Sequence, residues 1–164
     1  MNILKKNLKI ISISFVAGLL VSQFNWNNTF IGEDNVSLAD IAMKRVTRDL
    51  EFVTDIKENV SISDINVKTR PFNYQFSEEI PYNVRYLNHC GFAGEDALYL
   101  ILEGKHGDVS VFLTNAISKK TTTKKANKNT LTMPIGNSSI ILIGNLDENL
   151  EIIANQLTDI VKPT

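Results

Sequence analysis

The chain has 164 residues, with 17 Lys and Arg against 18 Asp and Glu and a net charge of −1. This length fits one ordinary domain, and the near balance of charges argues against a general nucleic-acid-binding protein. The single Cys excludes an intrachain disulfide framework and a multi-cysteine metal site, and the two His argue against a histidine-rich metal centre. No cofactor is therefore expected.

The amino terminus has the pattern of a membrane-targeting segment. Three lysines precede an apolar run over residues 10–21, and Phe24 and Trp26 follow it, as aromatic residues do at a membrane interface. A secretory signal peptide, with an apolar stretch of about 7–15 residues, and an uncleaved anchor of about 20 residues are both compatible with this run. No pair of small residues suited to signal peptidase follows the run, which favours an anchor.

The preferred interpretation divides the chain into four parts. Residues 1–9 are a short cytoplasmic amino terminus, 10–24 span the membrane, 25–36 form a polar linker, and 37–164 form an exported domain, which the resemblance described below places in the periplasm of a bacterium, with the anchor in its inner membrane. The lysines favour this orientation, since positive charge accumulates on the cytoplasmic side. The lipid bilayer is then the partner of residues 10–24.

Amphipathic helices are predicted near both ends of the exported domain. Ser37 is a predicted N-cap, and apolar residues follow it at spacings of three and four as far as Ile56. Ser61 is expected to cap a short second helix.

The carboxyl-terminal helix is predicted from a local start signal and its periodicity. Asn145 and Glu148 have the spacing of a capping box, apolar residues follow at helical spacing, and Pro163 is expected to end this helix.

The segment between these helices has the period of β-strands. The predicted strands are residues 84–92, 97–102, 109–113, 131–135 and 140–143. Turns at residues 104–107 and 136–139 join four of them into two hairpins, and the basic, Thr-rich residues 118–129 are expected to be a loop. The pattern predicts an antiparallel α+β domain, with a hairpin-rich sheet of about five strands and both long helices on one face.

His89 and Cys90 are the first candidates for chemistry. A thiol beside an imidazole can act as a nucleophile, but neighbours on a strand point to opposite faces. A lone Cys is also among the most commonly buried residues. Cys90 is therefore expected to be structural, with a thiol-dependent enzyme or an intermolecular disulfide as alternatives.

The remaining charged residues favour surface roles, and no catalytic residue is predicted. Paired acids at residues 78–79, 95–96 and 147–148 are expected to face water or a helix start. His106 lies in a turn, where it is solvated or senses pH. The lysine cluster around residue 120 either is solvated or contacts anionic lipid, and it lacks the aromatic residues of a nucleic-acid site. The candidate interaction surface comprises Lys105, His106, Lys119, Lys120, Lys124 and Lys125.

Residues 88–113 and 133–144 resemble the exported domain of an uncharacterised bacterial family of single-pass inner-membrane proteins, described as anti-sigma-factor-like. The resemblance consists of an Asn-x-Cys-x-Phe segment, a Gly-turn hairpin with a Val-rich strand, and a Pro-x-Gly-Asn turn. The matching positions are Asn88, Cys90, Phe92, Gly104, Gly107, Val109, Val111, Phe112, Pro134, Gly136 and Asn137. Only about nine residues precede the apolar run, so the resemblance implies the exported domain and topology without anti-sigma activity.

The expected function is that of a membrane-anchored periplasmic protein without enzymatic activity, acting as a regulatory or sensor-like accessory through contacts with an unidentified protein partner. A secreted binding module released by signal cleavage is the alternative. The oligomeric state is left open.

Overall fold

Three helices and eight strands lie in the residues that the computed structural model describes, 36–72 and 74–163. The helices are α1 (Leu38–Val53), α2 (Ile62–Thr69) and α3 (Leu150–Ile160). The strands are β1 (Tyr74–Phe76), β2 (Val84–Phe92), β3 (Glu95–Gly104), β4 (Gly107–Thr114), β5 (Thr121–Lys125), β6 (Lys128–Ile135), β7 (Ser138–Asn145) and β8 (Val161–Pro163). The predicted α+β class is confirmed.

The predicted anchor at residues 10–24 lies outside the described residues, as does the linker apart from Val36. Within the described ranges, no helix combines the length and the apolar character that crossing a membrane requires.

Six strands form one antiparallel sheet in the order β2–β3–β4–β7–β6–β5, and β1 and β8 form a separate antiparallel ribbon. The expectation of about five strands was wrong because residues 118–129, predicted as a loop, contain β5 and the start of β6. Ala126 and Asn127 form the turn between these strands, both with positive φ. Every residue of β5 is exposed, so no alternation of apolar residues marks it in the sequence.

The helix starts at Ser37 and Ser61 are confirmed. The Ser37 side chain accepts a hydrogen bond from the backbone N–H of Asp40, and Ser61 forms a capping box with Asp64. These caps satisfy amides that have no partner within the helix. The helix α1 ends at Val53, one turn before the predicted end.

The predicted boundaries of α3 were wrong at both ends. The N-cap is Asn149, whose side chain accepts from the amide of Ile152, and the expected Asn145–Glu148 capping box does not form. Pro163 does not end the helix, because α3 stops at Ile160 and the last residues pair with β1 as β8.

The two long helices cover opposite faces of the sheet, so the prediction of one shared face was wrong. On one face, Leu157 of α3 belongs to a core with Leu100 and Leu142. On the other, Ala42 of α1 belongs to a second core with Phe112. The apolar strands β3 and β7 present large side chains to both faces, and each face needs cover.

Candidate functional site

A crevice of about 300 Å³ separates α1 from the sheet, and we call it the α1 crevice. Its apolar lining comes from the helix and from two central strands: Met43, Val46, Leu50, Ile101 and Ile143. Sites for small molecules are typically such concave, mostly apolar spaces with a few polar groups.

The apolar residues of α1 are not all turned toward the sheet. Ala39, Ala42 and Val53 are buried, whereas Leu50 is 55% exposed and Phe52 is 75% exposed. An amphipathic helix on a domain surface usually turns its large apolar residues inward. The carboxyl-terminal half of α1 therefore presents apolar side chains to solvent next to a space that they do not fill.

Two hydroxyl groups lie in the lining on the sheet side of the α1 crevice. Tyr99 Oη and Ser110 Oγ are 3.2 Å apart and share one hydrogen bond. Burial raises the pKa of Tyr99 to about 12, so the phenol stays protonated at neutral pH. The Tyr99 ring is held by stacking on Phe112, with ring centroids 4.4 Å apart. Because two O–H groups share a single bond, one of them can still donate to another acceptor.

Arg85 joins the sheet to the end of α1. Its Nη1 donates to the carbonyl oxygens of Val53 at 2.7 Å and Ile56 at 2.8 Å. Its Nε donates to Asp108 at 3.0 Å and its Nη2 donates to the same carboxylate. The side chain of Arg85 is 8% exposed. These bonds balance the charge of Arg85 and satisfy helix-end carbonyls that lack partners within the helix.

Arg85 and Asp108 did not emerge from the sequence patterns. Arg85 is the extra residue of a β-bulge in β2, between Val84 and Tyr86. The bulge displaces the regular alternation, so a buried position carries a charged residue. The partner Asp108 is 23 residues away, and no local spacing connects the two.

Lys128 is the other cationic residue lining the α1 crevice. Its Nζ donates to Asn145 Oδ1 at 2.7 Å. Among the described residues, no carboxylate lies within ion-pair distance of it. Within the described part of the chain, Lys128 therefore brings a positive charge that no acidic partner offsets.

The turn between β3 and β4 was predicted as part of an interaction surface. Residues at the end of β7 and in the segment after it form hydrogen bonds to its backbone. Glu148, which is 7% exposed, accepts hydrogen bonds from the amides of His106 at 2.6 Å and Lys105 at 3.3 Å. A Cβ at Gly104 would lie 2.8 Å from Glu148 Oε2 and 2.7 Å from the Gly107 carbonyl oxygen. Any larger residue at position 104 would therefore require the turn or Glu148 to move.

The predicted lysine surface is divided by its ion pairs. Lys120 pairs with Glu151 of α3 at 2.6 Å, and Lys125 pairs with Asp40 of α1 at 3.1 Å. Lys119 and Lys124 are exposed. Asn145 contacts both Lys128 and the carbonyl of His106, and so connects the tip of the β5–β6 hairpin with the β3–β4 turn.

Comparison with known protein families identifies the family of this chain. The family model described as "Protein of unknown function (DUF3379)" matches residues 9–161. The chain belongs to the DUF3379 family. The resemblance to an uncharacterised family is confirmed in this sense, and no curated protein matches the sequence.

In this DUF3379 domain, the Cys90 side chain is buried in the core that α1 covers. Burial raises the pKa of the Cys90 thiol, which disfavours the nucleophilic thiolate. His89 contacts the carbonyl oxygen of Lys68 and packs edge-on against Phe72, which belongs to the other core. The two side chains therefore point away from each other, as the strand period predicts.

The other residues on which the family resemblance depends lie in strands and turns of the DUF3379 domain. Asn88 Nδ2 donates to Tyr86 Oη at 3.2 Å, and the Phe92 ring lies 5.1 Å from that of Phe112. Pro134 is an exposed residue of β6, and the Gly136–Asn137 turn leads into β7. In the described part of the chain, no group of three or more His, Cys, Asp or Glu side chains is placed to hold a metal ion.

Proposed function

We propose that this protein is a non-enzymatic, membrane-anchored accessory of the bacterial envelope, which acts through contact between its α+β domain and a partner protein. The observation that carries the proposal is the exposed apolar end of α1, where Phe52 is 75% exposed and Leu50 is 55% exposed. A large aromatic side chain exposed on a surface is a frequent energetic anchor of protein interaction sites.

The anchored topology is supported by the amino-terminal sequence. Residues 10–24 are mostly apolar, three lysines precede them, and no suitable cleavage site follows. In the proposed arrangement, residues 1–9 are cytoplasmic and residues 37–164 are periplasmic. The resemblance to anti-sigma-factor-like membrane proteins supports a regulatory or sensor-like role, but the proposal does not extend to sigma-factor binding.

The non-enzymatic role is supported by the state of the reactive groups. The Cys90 thiol is buried with a raised pKa, and Arg85 and Asp108 are engaged with each other. Acid–base catalysis needs titratable groups free to exchange protons with a substrate. Binding is therefore the better explanation of this surface.

Site-specific photocrosslinking in cells tests the partner contact. A photoreactive amino acid replaces Phe52 in the full-length chain, and the matched control replaces Ile117, which is 72% exposed on the β4–β5 connection. We expect a discrete crosslinked product from position 52 that is weak or lacking from position 117. Background labelling at position 52, or the same products from both positions, would contradict the proposed surface.

Fractionation and mass measurement of the mature chain test the anchor separately. We expect the full-length mass in the membrane fraction, released by detergent and retained after a high-salt wash. A soluble mature form that starts after Phe24 would instead identify a secreted binding module.

A further inference from the structure

We propose that the α1 crevice is a binding site for a small amphipathic monocarboxylate. The apolar part of such a ligand would lie between α1 and the sheet, and its carboxylate would accept a hydrogen bond from Lys128. This site shares Leu50 with the exposed end of α1 but does not include Phe52, which does not line the crevice.

The size of the crevice limits the ligand. A volume of about 300 Å³ lies at the lower end of the range of about 300–1,000 Å³ that is typical of small-molecule sites. Two-chain lipids and folded peptides are too large for a site of this size. A short-chain or aromatic acid lies within it.

The lining requires a ligand that is apolar over most of its surface. Met43, Val46 and Leu50 from α1 face Ile101 and Ile143 from the sheet. An apolar ligand that fills this space removes apolar surface of both partners from water, which favours binding. A fully polar ligand of the same size would lose its hydration without this compensation.

The charges around the crevice favour an anion. The carboxylate of Asp108 offsets the charge of Arg85, whereas the ammonium of Lys128 contacts the neutral amide of Asn145 and, among the residues that the structure describes, no carboxylate. The lining groups therefore carry one unbalanced positive charge, and a carboxylate is the ligand group that complements it.

The Tyr99–Ser110 pair supplies an independent indication of an oxygen acceptor. The pair lines the crevice, and one of its two O–H groups has no acceptor within the pair. A ligand oxygen in the crevice can accept a hydrogen bond from this remaining O–H group. For the same reason we expect a purely hydrocarbon ligand to be a poorer match.

Methionine methyl NMR provides a test with an internal control. The chain has three Met: Met1, Met43, which lines the crevice, and Met133, which packs against the opposite core. Full-length protein with ¹³C-labelled Met methyl groups, in lipid nanodiscs, is titrated with hexanoate and, separately, with hexanamide. We expect hexanoate to shift the Met43 signal saturably while the Met133 signal stays in place. Hexanamide should bind at least fivefold more weakly.

Charge variants then assign the carboxylate partner. Lys128→Gln should weaken hexanoate at least fivefold without changing hexanamide binding. Lys124→Gln, which removes a lysine from an exposed position on the neighbouring strand, should leave both affinities unchanged. The Met133 signal reports whether each variant is folded.

Three results would overturn the proposal: an unmoved Met43 signal, equal affinities for hexanoate and hexanamide, or unchanged hexanoate affinity in Lys128→Gln. Since position 52 lies outside the crevice, failure of partner crosslinking there and failure of hexanoate binding are separate outcomes.

Discussion

An amphipathic helix covers each face of the central sheet, but the two helices differ in how many large apolar residues they bury. The helix α3 buries five apolar residues against its face: Leu150, Ile153, Ala154, Leu157 and Ile160. The longer helix α1 buries only Ala39, Ala42 and Val53. The α3 face is thus a packed core, although Ile152 of α3 is exposed, whereas the α1 face retains a crevice beside the exposed Leu50 and Phe52. We expect the α3 face to contribute more to stability, and the proposed binding sites lie on the α1 face.

The largest loss of stability is expected from a substitution in the core under α3. Leu157 is 0% exposed, so Leu157→Ala leaves a cavity in the core and should lower the free energy of unfolding by about 3 kcal/mol. Urea unfolding of the full-length protein measures this loss. A loss below about 1 kcal/mol would show that the α3 face is not the more tightly packed one.

A smaller effect is expected where α1 is attached. Arg85→Ala leaves Asp108 unpaired and removes the donor to the carbonyls of Val53 and Ile56, for a loss of about 2 kcal/mol. Hydrogen exchange should accelerate in the last turn of α1 and stay slow in α3. Arg85→Met keeps the side-chain length without the charge, and equal stability of Met and wild-type proteins would contradict the role of these bonds.

The hydroxyl pair of the α1 face gives a pH-dependent prediction. The pKa of Tyr99 is raised to about 12 by burial, so the folded state retains this proton more tightly than the unfolded state. The resulting stabilisation is fully present below pH 10 and is lost as the pH rises from 10 to 12, with about 1 kcal/mol lost by pH 11. Tyr99→Phe should remove this part of the alkaline destabilisation. Parallel stability curves for the two proteins between pH 9 and 11 would disprove it.

The smallest effect on stability is expected at the exposed end of α1. Phe52 is largely solvated, so Phe52→Ala should change the free energy of unfolding by less than about 0.5 kcal/mol. Thermal unfolding monitored by circular dichroism checks this. A large loss would mean that Phe52 stabilises the fold and is not held available for a partner.

The local elements of this fold follow from local chemistry, which is why they could be predicted. Ser37 and Ser61 cap their helices with side-chain bonds to residues three positions away, and the glycine turns join strands that pair directly. The strand β5 could not be predicted from apolar periodicity, because all residues of Thr121–Lys125 are exposed. Pairing with β6 forms this strand without any alternation of apolar residues.

The candidate site could not be predicted because its contacts cross long distances in the chain. Arg85 meets the end of α1 and Asp108, and Glu148 is drawn to the amides of the β3–β4 turn instead of capping α3. One signal was present: the runs at residues 97–102 and 140–143 are apolar at nearly every position, as expected of strands covered on both faces. That pattern argues for helices on opposite faces.

The edge strand β5 also affects the tendency of this protein to self-associate. Among the described strands its outer side has no neighbour in the sheet, and an exposed strand of this kind is a template for pairing with another chain. Lys124 places positive charge on that border, where two approaching copies would repel each other, and Lys125 beside it is exposed although it pairs with Asp40. Anchoring, as proposed, would confine copies to a plane and make encounters frequent. The threonine–lysine composition therefore guards against self-association, and replacing both lysines with valine should promote aggregation while leaving the fold intact.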